Sequence, residues 1–307
     1  MRPFVFLSFL AASAASVLRG GAGSRQDTCN VLALSGGGSF GAVQAGVLDG
    51  LLEAQEISAH YDIITGISAG GLNAGFLSYY TNVSSAIQPL YNILTGLQTS
   101  DIYQSAILNI LKEYSIYSTA PLEATLHSII DNKIAEPGAP LTLIGATNIN
   151  TESLDVFRFD MLEAQDRVDA LMATSAIPLA FPPRSINGSM YVDGGVINNE
   201  MISQALGYKP CGFYNVVFVS ASSRDGRREV DGFFSYVSTV AHVLLDTFDY
   251  QLAQFQSVTC SYPRGYIKAC FPTSPELDNY SILDFDNGAT LWGLGKSAYN
   301  CTRLMIC

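Results

Sequence analysis

The sequence predicts an α/β fold, a three-layer α/β/α sandwich whose central sheet is mainly parallel. Short apolar runs alternate with longer segments in which apolar residues recur every three or four positions. Glycine clusters follow several of these runs, as they do where a strand turns into the next helix. Hydrophobic residues make up 48% of the 307 residues and charged residues 14%, which is enough apolar side chain for a large core. Because neither a linker nor a repeat interrupts the pattern, we expect one domain over residues 24–307.

Residues 1–23 differ from this pattern and are typical of a secretory signal peptide. The basic residue Arg2 precedes an uncharged apolar stretch at 3–18, and small residues with glycines follow it. The stretch is short for a bilayer span, so we favour a cleaved signal over a membrane anchor. Cleavage is expected between Ala15 and Gly23. The protein is therefore predicted to be secreted or to enter the lumen of the secretory pathway.

The strands and helices are predicted from periodicity. Strands are short runs rich in Val, Ile and Leu, such as VLALS, and helices carry apolar residues at helical spacing, as at Val43, Val47 and Leu51. The predicted strands, in chain order, are 31–35, 61–66, 141–148, 154–159, 190–192 and 215–220. The predicted helices are 40–54, 72–80, most of 84–130, 167–174 and 233–255.

The charge balance excludes one class of partner. The chain has 16 Lys and Arg against 27 Asp and Glu, a net charge of −11, whereas a nucleic-acid-binding surface needs clustered Lys and Arg. The same excess of acid argues against binding to anionic lipid by charge. Contact with a membrane would have to use apolar surface.

The cysteines and the glycosylation motifs agree with export. All six cysteines lie after the predicted cleavage site, so up to three disulfides are expected, and Cys260 with Cys270 is the predicted local pair because the two flank a short loop. There are no paired CxxC units and no EF-hand spacing, so we predict no metal site and calcium-independent activity. N-x-S/T motifs make four asparagines candidates for glycosylation: Asn82, Asn187, Asn279 and Asn300.

The first glycine-rich segment, at 36–41, lies between a predicted strand and a predicted helix. Backbone N–H groups and the helix N-terminus converge there, which suits an oxyanion or a phosphate. The segment also fits G-x-G-x-x-G, but the next strand ends in Gly66-Ile67-Ser68 without the acidic residue that a dinucleotide site needs for its ribose. We therefore predict no nucleotide.

The second segment, Gly66-Ile67-Ser68-Ala69-Gly70, fits G-x-S-x-G. With a strand before it and a helix after it, this pattern is typical of a nucleophile elbow, in which a tight turn presents the serine hydroxyl. The alternative is an ordinary strand-to-helix turn in which Ser68 caps the helix.

The third segment, Asp193-Gly194-Gly195, supplies a candidate base for that serine. Asp193 would act directly if burial raised its pKa. A Ser–His–Asp arrangement with His242 is the alternative, but this histidine lies inside a predicted helix. We interpret His60 and His127, like His242, as structural or surface residues.

In combination, GGGSFG at 36–41, GISAG at 66–70 and DGG at 193–195 resemble the motifs of the patatin-like phospholipase family, and ATSAIPLAFPP at 173–183 is similar to its segment before the DGG. The likeness covers residues 31–199. It implies a three-layer sandwich that hydrolyses fatty-acyl esters of phospholipids or glycolipids, with a Ser–Asp dyad, an acyl-enzyme intermediate and no cofactor.

Carried over by position, the resemblance makes Ser68 the nucleophile and Asp193 the base. It assigns the oxyanion hole to the backbone N–H groups of Gly37 and Gly38. The other motif glycines would shape the turns: Gly36, Gly41, Gly66, Gly70 and Gly194. Many members have Arg or Lys where this chain has Phe40, so a preference for a charged phospholipid over a neutral glycolipid does not follow.

The expected substrate is a lipid at a membrane or micelle surface, and the apolar segment 179–183 is a candidate approach for its acyl chain. Two other functions stay open. One is a storage or defence glycoprotein of the same fold with incidental esterase activity, and the other is the Ser–His–Asp esterase.

Overall fold

The computed structural model describes residues 27–106, 110–222 and 264–306. The strands are β1 Thr28–Leu34, β2 Ile63–Ile67, β3 Gln104–Ser105, β4 Tyr117–Ser118, β5 Leu141–Asn148, β6 Ser153–Arg158, β7 Arg184–Ile186, β8 Ser189–Asp193, β9 Phe213–Val219, β10 Gly265–Pro272 and β11 Tyr299–Ile306. The α-helices are α1 Gly41–Glu53, α2 Ser68–Leu77, α3 Val83–Gly96, α4 Ile110–Glu113, α5 Ala120–Ile130, α6 Ala164–Thr174, α7 Ile202–Tyr208 and α8 Gly288–Ser297.

Nine of these strands form one sheet in the order β11-β10-β9-β1-β2-β5-β8-β7, with β6 also paired to β5. The five strands β10, β9, β1, β2 and β5 are parallel to one another, and the strands at the edges are antiparallel to their neighbours. The predicted, mainly parallel sheet with flanking helices is thus confirmed. The antiparallel pairing of its edge strands was not predicted from the sequence.

The central strands are buried on both faces. In β1, Leu32 and Leu34 face a large apolar cluster that includes residues of α1, α2, α3, α5 and α6, while Val31 and Ala33 face a second cluster with α7. Burial on both faces explains why these strands read as continuous apolar runs instead of alternating patterns. The carboxyl ends of the parallel strands meet at one edge of the sheet, where the glycine-rich turns lie.

The segment 84–130 is only partly helical. α3 begins after Asn82, whose side-chain oxygen accepts a hydrogen bond of 2.8 Å from the Ser84 N–H and so caps the helix. Between α3 and α5 the described chain forms the short hairpin β3–β4 and the single turn α4. A second hairpin, β7–β8, contains the predicted strand 190–192 and turns at Asn187-Gly188, both of which have positive φ.

The cysteine pairing differs from the prediction. Cys270 and Cys301 lie opposite each other in β10 and β11 and form a disulfide, and Cys29 in β1 is joined to Cys211 before β9. The predicted Cys260–Cys270 bond is therefore wrong, since Cys270 has another partner. Distance along the sequence favoured Cys260, whereas the pairing is decided by β11, which returns beside β10.

Some predictions fall outside the described residues. These are the signal peptide at 1–23 and the helix at 233–255 with His242. Among the helices that the structure describes, none combines the length and the apolar composition that crossing a membrane requires.

Candidate active site

Ser68 lies at the sharp turn between β2 and α2. Its φ is 51°, a left-handed conformation that residues with a side chain rarely adopt. Thr174 holds this turn, because its hydroxyl oxygen accepts a hydrogen bond of 2.9 Å from the Ser68 N–H and its hydroxyl donates one of 2.6 Å to the Gly145 carbonyl. The serine is therefore fixed to β5 through α6 and presents its side chain from a strained backbone, as the predicted elbow requires.

The motif glycines are needed where backbones approach closely. A Cβ on Gly66 would lie 2.2 Å from the carbonyl oxygen of Gly70, and a Cβ on Gly70 would lie 2.4 Å from that of Leu34. Gly41 packs on Ala69, and a Cβ on Gly194 would lie 2.5 Å from the carbonyl oxygen of Gly145. These turns have no room for a side chain. The glycines of G-x-S-x-G are therefore needed because helix α2 packs directly on the strand ends.

The sheet topology brings Asp193 to Ser68. β2 pairs with β5 up to Ile67 and Gly145, and β8 pairs with the next residues on the same side of β5, with Asp193 opposite Ala146. β6 occupies the other side of β5. The residue that ends β8 therefore lies beside the residue that follows β2, although 125 positions separate them in the chain.

The Asp193 carboxyl group is fully buried, and burial raises its pKa from 3.8 to about 7. The Ser68 hydroxyl and the Gly195 N–H, which donates to Oδ1 at 2.9 Å, favour the ionised form and oppose this effect. Oδ2 has no partner in hydrogen-bonding geometry in the described part of the chain. The Ser68 hydroxyl therefore lies close enough to the Asp193 carboxyl group to influence its pKa.

The loop 36–38 lies between β1 and α1, and its backbone is supported from two distant segments. The Gly36 N–H donates to Asn199 Oδ1 at 2.7 Å, and the Ser39 N–H donates to the Ile282 carbonyl at 2.8 Å. Gly38 has a φ of +59°, and a Cβ there would lie 2.1 Å from the Ile282 oxygen. Within the described residues the N–H groups of Gly37 and Gly38 have no hydrogen-bond acceptor.

Sequence reasoning missed three supports of this site. Thr174 lies in the ATSAIP stretch and Asn199 follows the DGG by a few residues, so their places near the motifs were a signal. Ile282 lies in the last hundred residues, where no motif pointed to the site.

The two histidines in the described residues are engaged elsewhere. His60 is exposed, with Nδ1 3.0 Å from the Thr81 carbonyl oxygen, and His127 contacts the carboxylate of Asp131, the residue after α5. Neither stands between Ser68 and Asp193.

An apolar cavity begins beside Ser68 and runs along α2, with an empty volume of about 870 Å³ including its open end. Gly38 and Ala69 border it near the serine, and apolar side chains of α3 and α5 face α2 across it. The predicted approach at 179–183 does not line this cavity: Leu179 is exposed, and Phe181 is buried against Tyr103 and Tyr117.

The four glycosylation candidates lie at or near the surface. Asn187, Asn279 and Asn300 are exposed, while Asn82 is half-buried at the start of α3. In the part of the chain that the structure describes, His, Cys, Asp and Glu side chains form no cluster of three or more that could hold a metal ion.

The chain is similar in sequence to known proteins of viruses and bacteria. "Probable lipid hydrolase 463L" of Invertebrate iridescent virus 6 is 28% identical over 187 residues, 58% of this chain and 63% of that protein. The "cGAMP-activated phospholipase" of Pseudomonas aeruginosa is 30% identical over 186 residues, 56% of this chain and 54% of that protein. The crystal structure of VipD from Legionella pneumophila overlaps with 91% of this chain and 68% of its own, at a TM-score of 0.39 and 14% identity.

The chain thus spans between half and two thirds of the length of these two curated relatives. The sequence profile described as "Patatin-like phospholipase" matches residues 32–206, which is more than half of the chain. This range includes the three glycine-containing segments at 36–41, 66–70 and 193–195. The chain therefore belongs to the patatin-like phospholipase family.

Proposed function

We propose that this protein is a lipid acyl hydrolase in which Ser68 is the nucleophile and Asp193 the general base. One observation carries the proposal: a strained serine and a fully buried carboxyl group with a free oxygen lie side by side at the carboxyl edge of the sheet. A carboxylate in water is a weak base, but one with a pKa of about 7 can take the serine proton at neutral pH.

The reaction proceeds in two half-reactions. Ser68 Oγ attacks the ester carbonyl carbon while its proton passes to Asp193, and the carbonyl oxygen becomes an oxyanion held by the Gly37 and Gly38 N–H groups. The tetrahedral intermediate then collapses, the alcohol leaves with the proton from Asp193, and the acyl group stays on Ser68. Water then attacks the acyl-serine while its proton passes to Asp193. When the bond between the acyl carbon and Ser68 Oγ breaks, Asp193 returns this proton to Oγ and the fatty acid leaves.

The oxyanion hole supplies most of the rate. Each N–H donor aimed at the developing charge contributes about 3 to 4 kcal/mol to transition-state stabilisation. Gly36, held by Asn199, and Ser39, held by Ile282, fix the loop on both sides of these donors, so little reorganisation is needed when the charge forms.

A covalent fluorophosphonate probe tests the assignment. We expect it to label the protein, and we expect Ser68→Ala to abolish labelling and hydrolysis of a lipid panel. Asp193→Asn should reduce hydrolysis severely with the fold intact, and His242→Ala should have little effect. Loss of labelling in His242→Ala would instead favour the Ser–His–Asp esterase, and feeble turnover of every lipid by the wild type would favour the storage or defence protein.

We also propose that the protein is secreted and glycosylated. The disulfides Cys29–Cys211 and Cys270–Cys301 support an oxidising compartment. Asn187, at the exposed tip of a hairpin, is the best placed of the four glycan candidates. Expression in secretory cells, followed by glycosidase treatment and N-terminal sequencing of the secreted protein, tests the compartment, the glycans and the cleavage site. An unglycosylated protein retained in the cell would contradict the proposal.

A further inference from the structure

Two buried side-chain amides lie between the two helices that begin at the site. Gln44 is on α1, which begins just after the loop 36–38, and Asn73 is on α2, five residues after Ser68. Gln44 is fully buried and Asn73 is 3% exposed. Burying an amide is costly unless its hydrogen bonds are made, so the partners of these two side chains show what they hold together.

The two amides form one chain of hydrogen bonds. Gln44 Nε2 donates to the carbonyl oxygen of Ser35 at 2.9 Å and to that of Val219 at 2.8 Å. Gln44 Oε1 accepts a hydrogen bond of 3.0 Å from Asn73 Nδ2, which also donates to the Gly41 carbonyl oxygen at 3.0 Å. The four N–H bonds of the two amide groups are therefore all used.

The direction of this chain is fixed by its partners. A carbonyl oxygen can only accept a hydrogen bond, so the Gln44 atom that faces Ser35 and Val219 must be the amide nitrogen. The Gln44 oxygen then faces Asn73, which must turn its own nitrogen toward Gln44 and Gly41. Flipping either amide would bring oxygen against oxygen and break at least two hydrogen bonds. The pair therefore has one satisfied arrangement and connects its partners rigidly.

This connection joins both ends of the loop 36–38 to the helix that carries the proposed nucleophile. Ser35 immediately precedes the loop, and Gly41 begins α1 just after it. Asn73 lies one turn beyond Ala69 on the same side of α2, and the Ala69 Cβ is 3.0 Å from where a Cβ on Gly41 would lie. The loop and the start of α2 are thus held at one separation.

We propose that Gln44 and Asn73 are positioning residues that set the distance between Ser68 Oγ and the oxyanion hole. During acyl transfer the substrate carbonyl lies between these two groups, with its carbon at the serine oxygen and its oxygen at the N–H donors. A misplacement of about 1 Å in such an arrangement costs about 100-fold in rate. The inference rests on the proposed function, because it gives the loop 36–38 the task of binding the oxyanion.

Steady-state kinetics with p-nitrophenyl butanoate, a small soluble ester, test the proposal. Gln44→Met keeps the length of the side chain and removes its hydrogen bonds, whereas Asn73→Ala removes only the link between the helices. We expect each change to lower kcat about 10- to 100-fold while KM stays within about 3-fold of the wild type. The rate constant of fluorophosphonate labelling should fall equally, and its final extent, which counts folded sites, should stay at one label per chain.

Ser78→Ala is the matched control. Ser78 is buried at the end of α2 far from Ser68, and its hydroxyl donates to the Gly75 carbonyl of the same helix. Its kcat should stay within about 2-fold of the wild type. Because the two amides act as one chain, the double variant of Gln44→Met and Asn73→Ala should be at most about 3-fold slower than the slower single variant. Effects that multiply in the double variant, or single variants as active as Ser78→Ala, would overturn the proposal.

Hydrogen exchange separates this inference from the proposed chemistry. The backbone amides of residues 36–41 should exchange at least about 5-fold faster in Asn73→Ala than in the wild type, and Ser78→Ala should leave them unchanged. If the wild type hydrolyses no ester and takes no label but this difference is found, the proposed reaction fails while the link between the loop and α2 stands. Unchanged exchange in Asn73→Ala refutes the link, and this test decides even if Gln44→Met does not fold.

Discussion

Replacing Asp193 by Asn should make the protein more stable at pH 8 even though it removes the proposed base. Burial raises the pKa of Asp193 from 3.8 to about 7, so the folded protein holds this proton more tightly than the unfolded chain does. The stabilising effect of the neutral form is complete below pH 3.8 and is lost as the pH rises through 7. The difference between the two pKa values corresponds to about 4 kcal/mol. Asn does not ionise and keeps an oxygen for the Gly195 N–H.

Urea unfolding between pH 4 and pH 8.5, with the disulfides intact, measures this effect. The free energy of unfolding of Asp193→Asn, relative to wild type, should rise from pH 4 to pH 7 by up to about 4 kcal/mol and then stay level. The pKa of Glu200 is also raised to about 7 by burial, but this residue titrates in both proteins and cancels in the comparison. Asp278→Asn, at an exposed position, should give no such rise. A difference between Asp193→Asn and wild type that does not change with pH would refute the reasoning.

Three other predictions follow from the site. The kcat/KM for a soluble ester should rise with pH and reach half its maximum near pH 7, because the ionised Asp193 accepts the serine proton; a rate that falls over this range would contradict its role. Thr174→Val, which removes the hydroxyl that binds the Ser68 N–H, should lower kcat roughly 10- to 100-fold, and Thr174→Ser should restore most of it; equal activity of both variants would show that the turn does not need this hydroxyl. Turnover should be unchanged in excess EDTA, because the proposed proton transfer uses no metal, and a loss that calcium reverses would refute this.

The sequence predicted those parts of the site that depend on tight backbone turns. Gly66 and Gly70 are required because α2 packs directly on the strand ends, and such contacts leave a glycine pattern that can be read without coordinates. The parallel arrangement of the central strands also followed from the alternation of apolar runs and helices.

What could not be predicted depends on contacts between distant segments. Local patterns made Asp193 only a candidate base for Ser68, because their meeting needs β2 and β8 to share one side of β5, which no local pattern encodes. The partner of Cys270 depends on the return of β11, and the cavity depends on how α3 and α5 lie against α2. A segment such as 179–183 is apolar whether it packs into the core or lines a cavity, so composition alone could not show that it does not line the cavity beside Ser68.

The support that Ile282 gives to the loop 36–38 has a consequence for how this protein can be divided. The stretch common to the family ends at residue 206, yet the peptide that carries Gly38 rests on a carbonyl 76 residues beyond that boundary. A recombinant fragment that ends at residue 206 would retain Ser68 and Asp193. It would lose the Ile282 carbonyl that supports the loop whose N–H groups are proposed to bind the oxyanion. Domain grafts and truncation libraries built on this protein therefore need to keep the chain through at least α8.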